Sequence, residues 1–203
     1  MALTDTGGNI MNNKLQAKDL INIGIFTTIY FVIYFATMML GYIPILDVLL
    51  GLICPITCGI PFMLYVTKVR SFGMISITGI ILAILFTVMG SGLLVASFCV
   101  ACGFLADIIM KMGKYQSMKY TIIGYAVFSI LTMGFFSRLF FMRNEFFMTM
   151  EKGYGKEYAD ALASLTPNWM YPVLVLSCLI GGILGAMLGK TVLKKHFKKA
   201  GIA

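Results

Sequence analysis

With 203 residues, 60% of them hydrophobic and only 12% charged, and a mean hydropathy of +0.92, this chain is not a soluble domain. Soluble domains keep about 25% charged residues to face water, so about half of that complement is missing and lipid takes the place of water as solvent. The net charge of +8 is then a question of which ends of the apolar runs carry the 16 Lys and Arg.

The opening "MALTDTGGNI" is polar and precedes a second Met, Met11; residues 1–13 are read as a disordered leader, an added extension or an alternative start, and are set aside from the fold. Six apolar runs follow, at about 20–41, 43–67, 72–89, 91–110, 119–142 and 169–189. Each approaches the ~20 residues a helix needs to cross a bilayer, and the first is too long and lacks the cleavage site of a signal peptide. The second contains Pro44, Pro55 and Pro61. Proline lacks a donor, so a kink or interruption is predicted there, tolerated only where neighbouring helices or a cavity satisfy the freed backbone.

Two joints are very short, Gly41-Tyr42 and Gly90-Ser91-Gly92, whereas 143–168 is a long external loop, rich in Phe, Met and Tyr, predicted to lie over the bundle as a lid on an outward-facing pocket. Within it, Glu157 to Leu165 has helical character. Thr166 is then read as an N-cap, with Pro167 at the first helical position and Trp169 at the interface. The last run ends in "GGILGAMLGKT", which resembles the close of a phosphate-binding loop. That loop needs Gly, four residues, then Gly-Lys-Ser/Thr between a strand and a helix; here Leu184 stands where the first Gly belongs. Gly181, Gly185 and Gly189 instead share one helix face and allow a neighbouring backbone to approach closely. The fold class is therefore all-α: a polytopic membrane protein over 14–193, a six-transmembrane-helix bundle with a long external loop between helices 5 and 6, followed by a basic tail at 194–203.

Orientation follows from the basic residues. Placing the N-terminus in the cytoplasm puts Lys14, Lys18, Lys68, Arg70, Lys111, Lys114, Lys119, Lys190 and the tail lysines on that side, 12 of the 16. Only Arg138, Arg143, Lys152 and Lys156 remain outside. Both termini are therefore expected in the cytoplasm, and the tail "KKHFKK" is expected to meet anionic lipid or a cytoplasmic partner, not nucleic acid.

Ionisable groups inside spans are costly and mark function by default. Asp107 has Lys111 one turn later, which a helical ion pair accounts for. Asp47 and Arg138 lie at the depth of the lid, and either pair with each other or meet charged groups of a ligand; an Arg suits a carboxylate or phosphate. Met142, Phe146, Phe147, Met148, Met150, Tyr154 and Tyr158 supply an apolar binding surface in and beside the lid. Enzyme chemistry is not expected. Asp47 and Asp107 sit at opposite faces and cannot share a proton as a protease dyad does, and the single His196 in the tail leaves no base for a Ser or Cys within the membrane. The pairs Cys54/Cys58 and Cys99/Cys102 have helical spacing but no His or carboxylate completes a metal site, so they are read as packing residues, and no metal is expected.

The segments "KDLINIGIFTTIYFVIYF", "GIPFMLYVTKVRSFGMISITGI", "GFLADIIMKMGKY", "GYGKEYADALASLTPNWM" and "GGILGAMLGKTVLKKHFKKAGI" resemble the Trep_Strep family of bacterial integral membrane proteins, over nearly the whole chain from Lys14. That family belongs with the substrate-binding S components of energy-coupling factor (ECF) transporters. The resemblance implies a six-helix subunit of the bacterial cytoplasmic membrane that captures a micronutrient outside. It delivers its cargo by toppling when it docks on a transmembrane coupling subunit driven by two cytoplasmic ATPases. The family's docking face carries small residues at four-residue spacing on the first helix, usually alanines; Gly24 and Thr28 hold that spacing here and keep the face small. No intrinsic cofactor is implied. Haem, or another amphiphilic compound bearing a carboxylate, is the expected cargo, otherwise a vitamin; the competing reading is a membrane scaffold or sensor without transport.

Overall fold

The computed structural model describes residue 15 and residues 17–194; the leader at 1–13 and the tail beyond Lys194 lie outside the described residues. Every regular element among them is helical. In chain order they are α1 (Ala17–Met38), a 3-10 turn (Met39–Tyr42), α2 (Pro44–Lys68), α3 (Met74–Val88) and α4 (Gly92–Met112). Then come α5 (Met118–Ser129), a second 3-10 turn (Ile130–Thr132), α6 (Met133–Phe141), α7 (Arg143–Tyr154), α8 (Lys156–Leu165) and α9 (Met170–Val192).

Five stretches are long and apolar enough to cross a membrane: Ala17–Tyr42, Pro44–Lys68, Gly92–Met112, Met118–Phe141 and Met170–Val192. The sixth expected span, 72–89, is a helix of 15 residues, about 22 Å at 1.5 Å per residue against a hydrocarbon core of about 30 Å. Its ends are set by glycines in the left-handed region, Gly73 at φ +99° and Gly90 at φ +86°, where a side chain is disfavoured and a helix stops.

Two local expectations meet a different outcome: the second span is not interrupted, and Thr166 does not cap the last one. α2 runs without a break through Pro55 and Pro61. Each interior proline costs about 3 kcal/mol, and packing offsets that cost: both prolines are buried, and the Tyr125 hydroxyl donates to the Pro55 carbonyl at 2.6 Å. Thr166 does not start the last span; it closes α8, its hydroxyl donating to the Leu162 carbonyl at 2.6 Å. Pro167 to Trp169 form a separate turn, Met170 N–H donating to the Pro167 carbonyl, and α9 begins at Met170.

The bundle closes on glycine. A Cβ built on Gly185 would lie 2.2 Å from the Pro55 carbonyl oxygen, and one on Gly181 2.7 Å from that of Leu52. One on Gly189 would lie 2.8 Å from the Met63 Cβ. The stripe seen in the sequence is thus the seam where α9 meets α2 backbone to backbone. Gly79 and Gly103 make the corresponding seam between α3 and α4, a Cβ on Gly79 falling 2.5 Å from the Cys99 carbonyl oxygen. All five cysteines are free and buried among these helices.

At the end where α2 and α4 finish, Asp107 is fully buried, and it does not serve Lys111. One carboxylate oxygen accepts from the Gly73 N–H (2.8 Å), the Ser76 N–H (3.1 Å) and the Ser76 hydroxyl (2.8 Å) at the start of α3. The other accepts from the Tyr115 hydroxyl at 2.7 Å. The Lys111 ammonium lies instead over the Phe72 ring, 4.4 Å from its centre. Orphan N–H groups at a helix start are stronger attractors for a buried carboxylate than a lysine free to reach water.

Candidate functional site

The opposite end of the bundle encloses a cavity of about 390 Å³, within the range of small-molecule sites. Its floor is aromatic. Tyr34 and Phe86 are buried and meet Phe135 in a three-ring cluster, with centroids 5.5 Å (Tyr34–Phe86), 6.0 Å (Tyr34–Phe135) and 5.1 Å (Phe86–Phe135) apart. The Tyr34 hydroxyl is held by Thr132 at 3.2 Å, in the 3-10 turn that breaks the α5–α6 span. That break lets Phe135, Phe136, Arg138 and Leu139 present themselves to the cavity.

The roof comes from 143–168, which is two helices instead of a loop. Gly155, at φ +89°, makes the corner between α7 and α8, a conformation that glycine adopts without strain. Arg143 ties the pair together, donating to the carbonyls of Thr166 (2.9 Å) and Ala163 (3.1 Å). Phe146, Met150 and Tyr154 of α7 and Tyr158 and Leu162 of α8 face the cavity. Tyr154 stacks on Tyr158, centroids 5.0 Å apart, and meets Tyr42 of the first 3-10 turn at 5.7 Å. The Tyr158 hydroxyl donates to the Gly41 carbonyl, fastening roof to wall. Burial, with the Asp47 carboxylate second, pushes the Tyr158 phenol above its usual pKa range, so it remains a donor.

Two charged groups line this apolar space, and they do not pair. Arg138 spends one N–H on the Ser91 carbonyl (3.3 Å) at the α3–α4 turn, and its other donors have no partner among the described residues. The Asp47 carboxylate has no hydrogen-bond or ion-pair partner among the described residues; it lies against Gly41, where a Cβ would come within 2.8 Å of Oδ1. The expected Asp47–Arg138 pair is therefore not formed. The two groups belong to different walls: Asp47 to the α2, α8 and 3-10 turn side, Arg138 to the side where α6 packs on α4.

Of the site residues predicted from sequence, the structure brings Asp47, Arg138, Phe146, Met150, Tyr154 and Tyr158 to the cavity. It leaves three out. Met142 ends α6 with 42% of its surface exposed, and Met148, 56% exposed, borders a hollow between α7 and α8 instead of the cavity. Phe147 is covered by the Arg143 guanidinium, 4.9 Å from the ring centre, and lines the same hollow. Sequence reasoning missed Tyr34, Phe86, Phe135, Thr132 and Ser91. Gly24 and Thr28 lie away from the cavity: a Cβ on Gly24 would meet nothing within 4 Å, and the exposed Thr28 hydroxyl donates only to the Gly24 carbonyl. Ile21, Ile25 and Val32 extend this exposed face of α1.

Residues 17–199 match the sequence model of a family described as hypothetical bacterial integral membrane protein (Trep_Strep). No curated protein and no solved structure matches the chain.

Proposed function

Since this chain belongs to the Trep_Strep family of bacterial integral membrane proteins, we propose that it is the substrate-capturing S component of an ECF-type importer. The observation that carries this reading is the roofed cavity, with its aromatic floor and the open guanidinium of Arg138. An apolar chamber with a few fixed polar groups selects and orients a small amphiphilic molecule, and Arg138 is shaped for its carboxylate. In this reading the cargo is an amphiphilic carboxylate-bearing micronutrient, haem or a vitamin-sized compound. The smooth face of α1 around Gly24 and Thr28 receives the coupling subunit, and two ATPases supply the energy. The chain itself is not an enzyme.

The same reading counts six crossings. α2 begins at the cavity end beside Gly41 and finishes at Lys68, and α4 begins just after Ser91, again on the cavity. α3 with its flanking turns must carry the chain back between those ends. Both termini then lie in the cytoplasm, and the cavity opens outward.

Purification of the full chain from its native bacterial membrane in mild detergent tests the proposal. A coupling subunit and two ATPases should accompany it, and Gly24→Trp should release them without lowering thermal stability. Their absence in wild type overturns the importer reading and favours the scaffold or sensor. A native mass spectrum with an absorption scan of the same material separates cargoes: a Soret band identifies haem, and a smaller bound mass without visible absorption a vitamin-sized compound.

A further inference from the structure

The cavity holds one acidic and one basic side chain that ignore each other. In an apolar chamber an uncompensated charge is costly, and the usual remedy is to pair the two. Here both are held apart. Arg138 is drawn to the α3–α4 turn by the Ser91 carbonyl, and Asp47 is seated on Gly41 at the other wall, under Tyr158. Gly41 is the residue whose lack of a side chain gives the carboxylate its seat, since a Cβ would meet Oδ1 at 2.8 Å and Leu50 at 3.1 Å. The rings of Tyr34, Phe86 and Phe135 line the same cavity as both charged groups.

From this separation we infer that the ligand is amphoteric: a flat, largely aromatic body with an acidic group at one end, taken by Arg138, and a basic nitrogen at the other, taken by Asp47. Each pole is then completed by the opposite charge of the ligand, and the aromatic floor takes the body by stacking. The inference rests on the capture reading and narrows its carboxylate-bearing cargo to compounds with a second, cationic pole. A molecule with only an acidic end leaves Asp47 without an opposite charge and forgoes that contact.

The test uses four rigid probes on one skeleton: 4'-(aminomethyl)biphenyl-4-carboxylic acid, biphenyl-4-carboxylic acid, biphenyl-4-ylmethylamine and biphenyl. Each is titrated by calorimetry into the detergent-purified full chain. The amphoteric probe should bind at least about tenfold more tightly than either singly charged one, the scale of one desolvated charge-assisted contact. Asp47→Asn should erase its advantage over the acid, and Arg138→Gln its advantage over the amine. Asp47→Glu and Arg138→Lys, which keep the charges, should retain part of each advantage and so separate lost charge from lost fold. Equal affinities for the amphoteric and acid probes, an advantage that survives Asp47→Asn, or no binding by any of the four overturns the inference. Co-purification decides the importer reading independently, so an amphoteric preference without coupling partners sinks only that reading, and partners without the preference sink only this one.

Discussion

The hydroxyl of Tyr158 in α8 donates to the carbonyl of Gly41, 117 residues away, a direct hydrogen bond from the roof helices to the turn after α1. A buried hydrogen bond contributes about 1 kcal/mol net, or about a fivefold change in an opening equilibrium. Tyr158→Phe keeps the stack on Tyr154 and removes only this bond. Amides of 143–165 should then exchange about fivefold faster, with α2 and α9 unchanged; equal exchange in the roof would show that stacking alone holds it. The phenol's raised pKa fixes the pH window. Its proton is retained more tightly when the roof is closed, so the contact is complete below the ordinary tyrosine range of about 10 and is lost only as pH rises beyond it.

Glycine at the α2–α9 seam and glycine on α1 should behave oppositely. Gly185→Ala drives a methyl to 2.2 Å from the Pro55 carbonyl oxygen, which only a shift of two packed helices can relieve. The cost is about 1–3 kcal/mol or more, read as a fall in the thermal unfolding midpoint in detergent. Gly24→Ala has open space around it and gains up to about 1 kcal/mol of helix propensity, so its midpoint should hold or rise. A matching loss at both positions would show that the seam is not special.

Asp107 should matter far more than Lys111. Asp107→Ala strands the Gly73 and Ser76 N–H groups and the Tyr115 hydroxyl, and hydrogen bonds to a charged group contribute about 1.5–3 kcal/mol each. Destabilisation of about 3 kcal/mol or more is expected. Lys111→Ala gives up only a contact with Phe72, about 0.5–1 kcal/mol at an exposed site. Comparable losses in the two variants would restore the helical ion pair.

These contrasts mark what the sequence reveals and what it hides. Hydropathy locates the long helices because lipid demands it, and the four-residue spacing of Gly181, Gly185 and Gly189 announces a close seam whatever the partner. Asp107 is misread because its partners are backbone N–H groups of α3 and a tyrosine beyond the end of α4, none at helical spacing from it. Tyr34, Phe86 and Phe135 are invisible for a different reason: an aromatic ring in a span reads the same whether it faces lipid, a neighbour or a cavity. Asp47 and Arg138 stand out because charge is scarce there, yet their failure to pair depends on Ser91 and Gly41, which carry no signal of their own.

The roof offers the sharpest test of side-chain direction, because Met148 and Met150 are two residues apart on one helix. A step of two turns a helical side chain by about 200°, so a lid rich in methionine cannot direct both inward. Met150 lines the cavity, whereas Met148 is 56% exposed and borders the hollow between α7 and α8. All five native cysteines are buried, so an introduced cysteine is labelled against a quiet background. Met148→Cys should react with a membrane-impermeant maleimide at the rate of an open surface thiol. Met150→Cys should react at least about tenfold more slowly, because labelling waits for the roof to open. Adding Tyr158→Phe should speed the second reaction and leave the first alone, since only residue 150 is reached through the opening that the Gly41 contact holds shut. Equal rates at the two positions, or no effect of the tyrosine change, would mean that α7 and α8 do not close over the cavity as a unit.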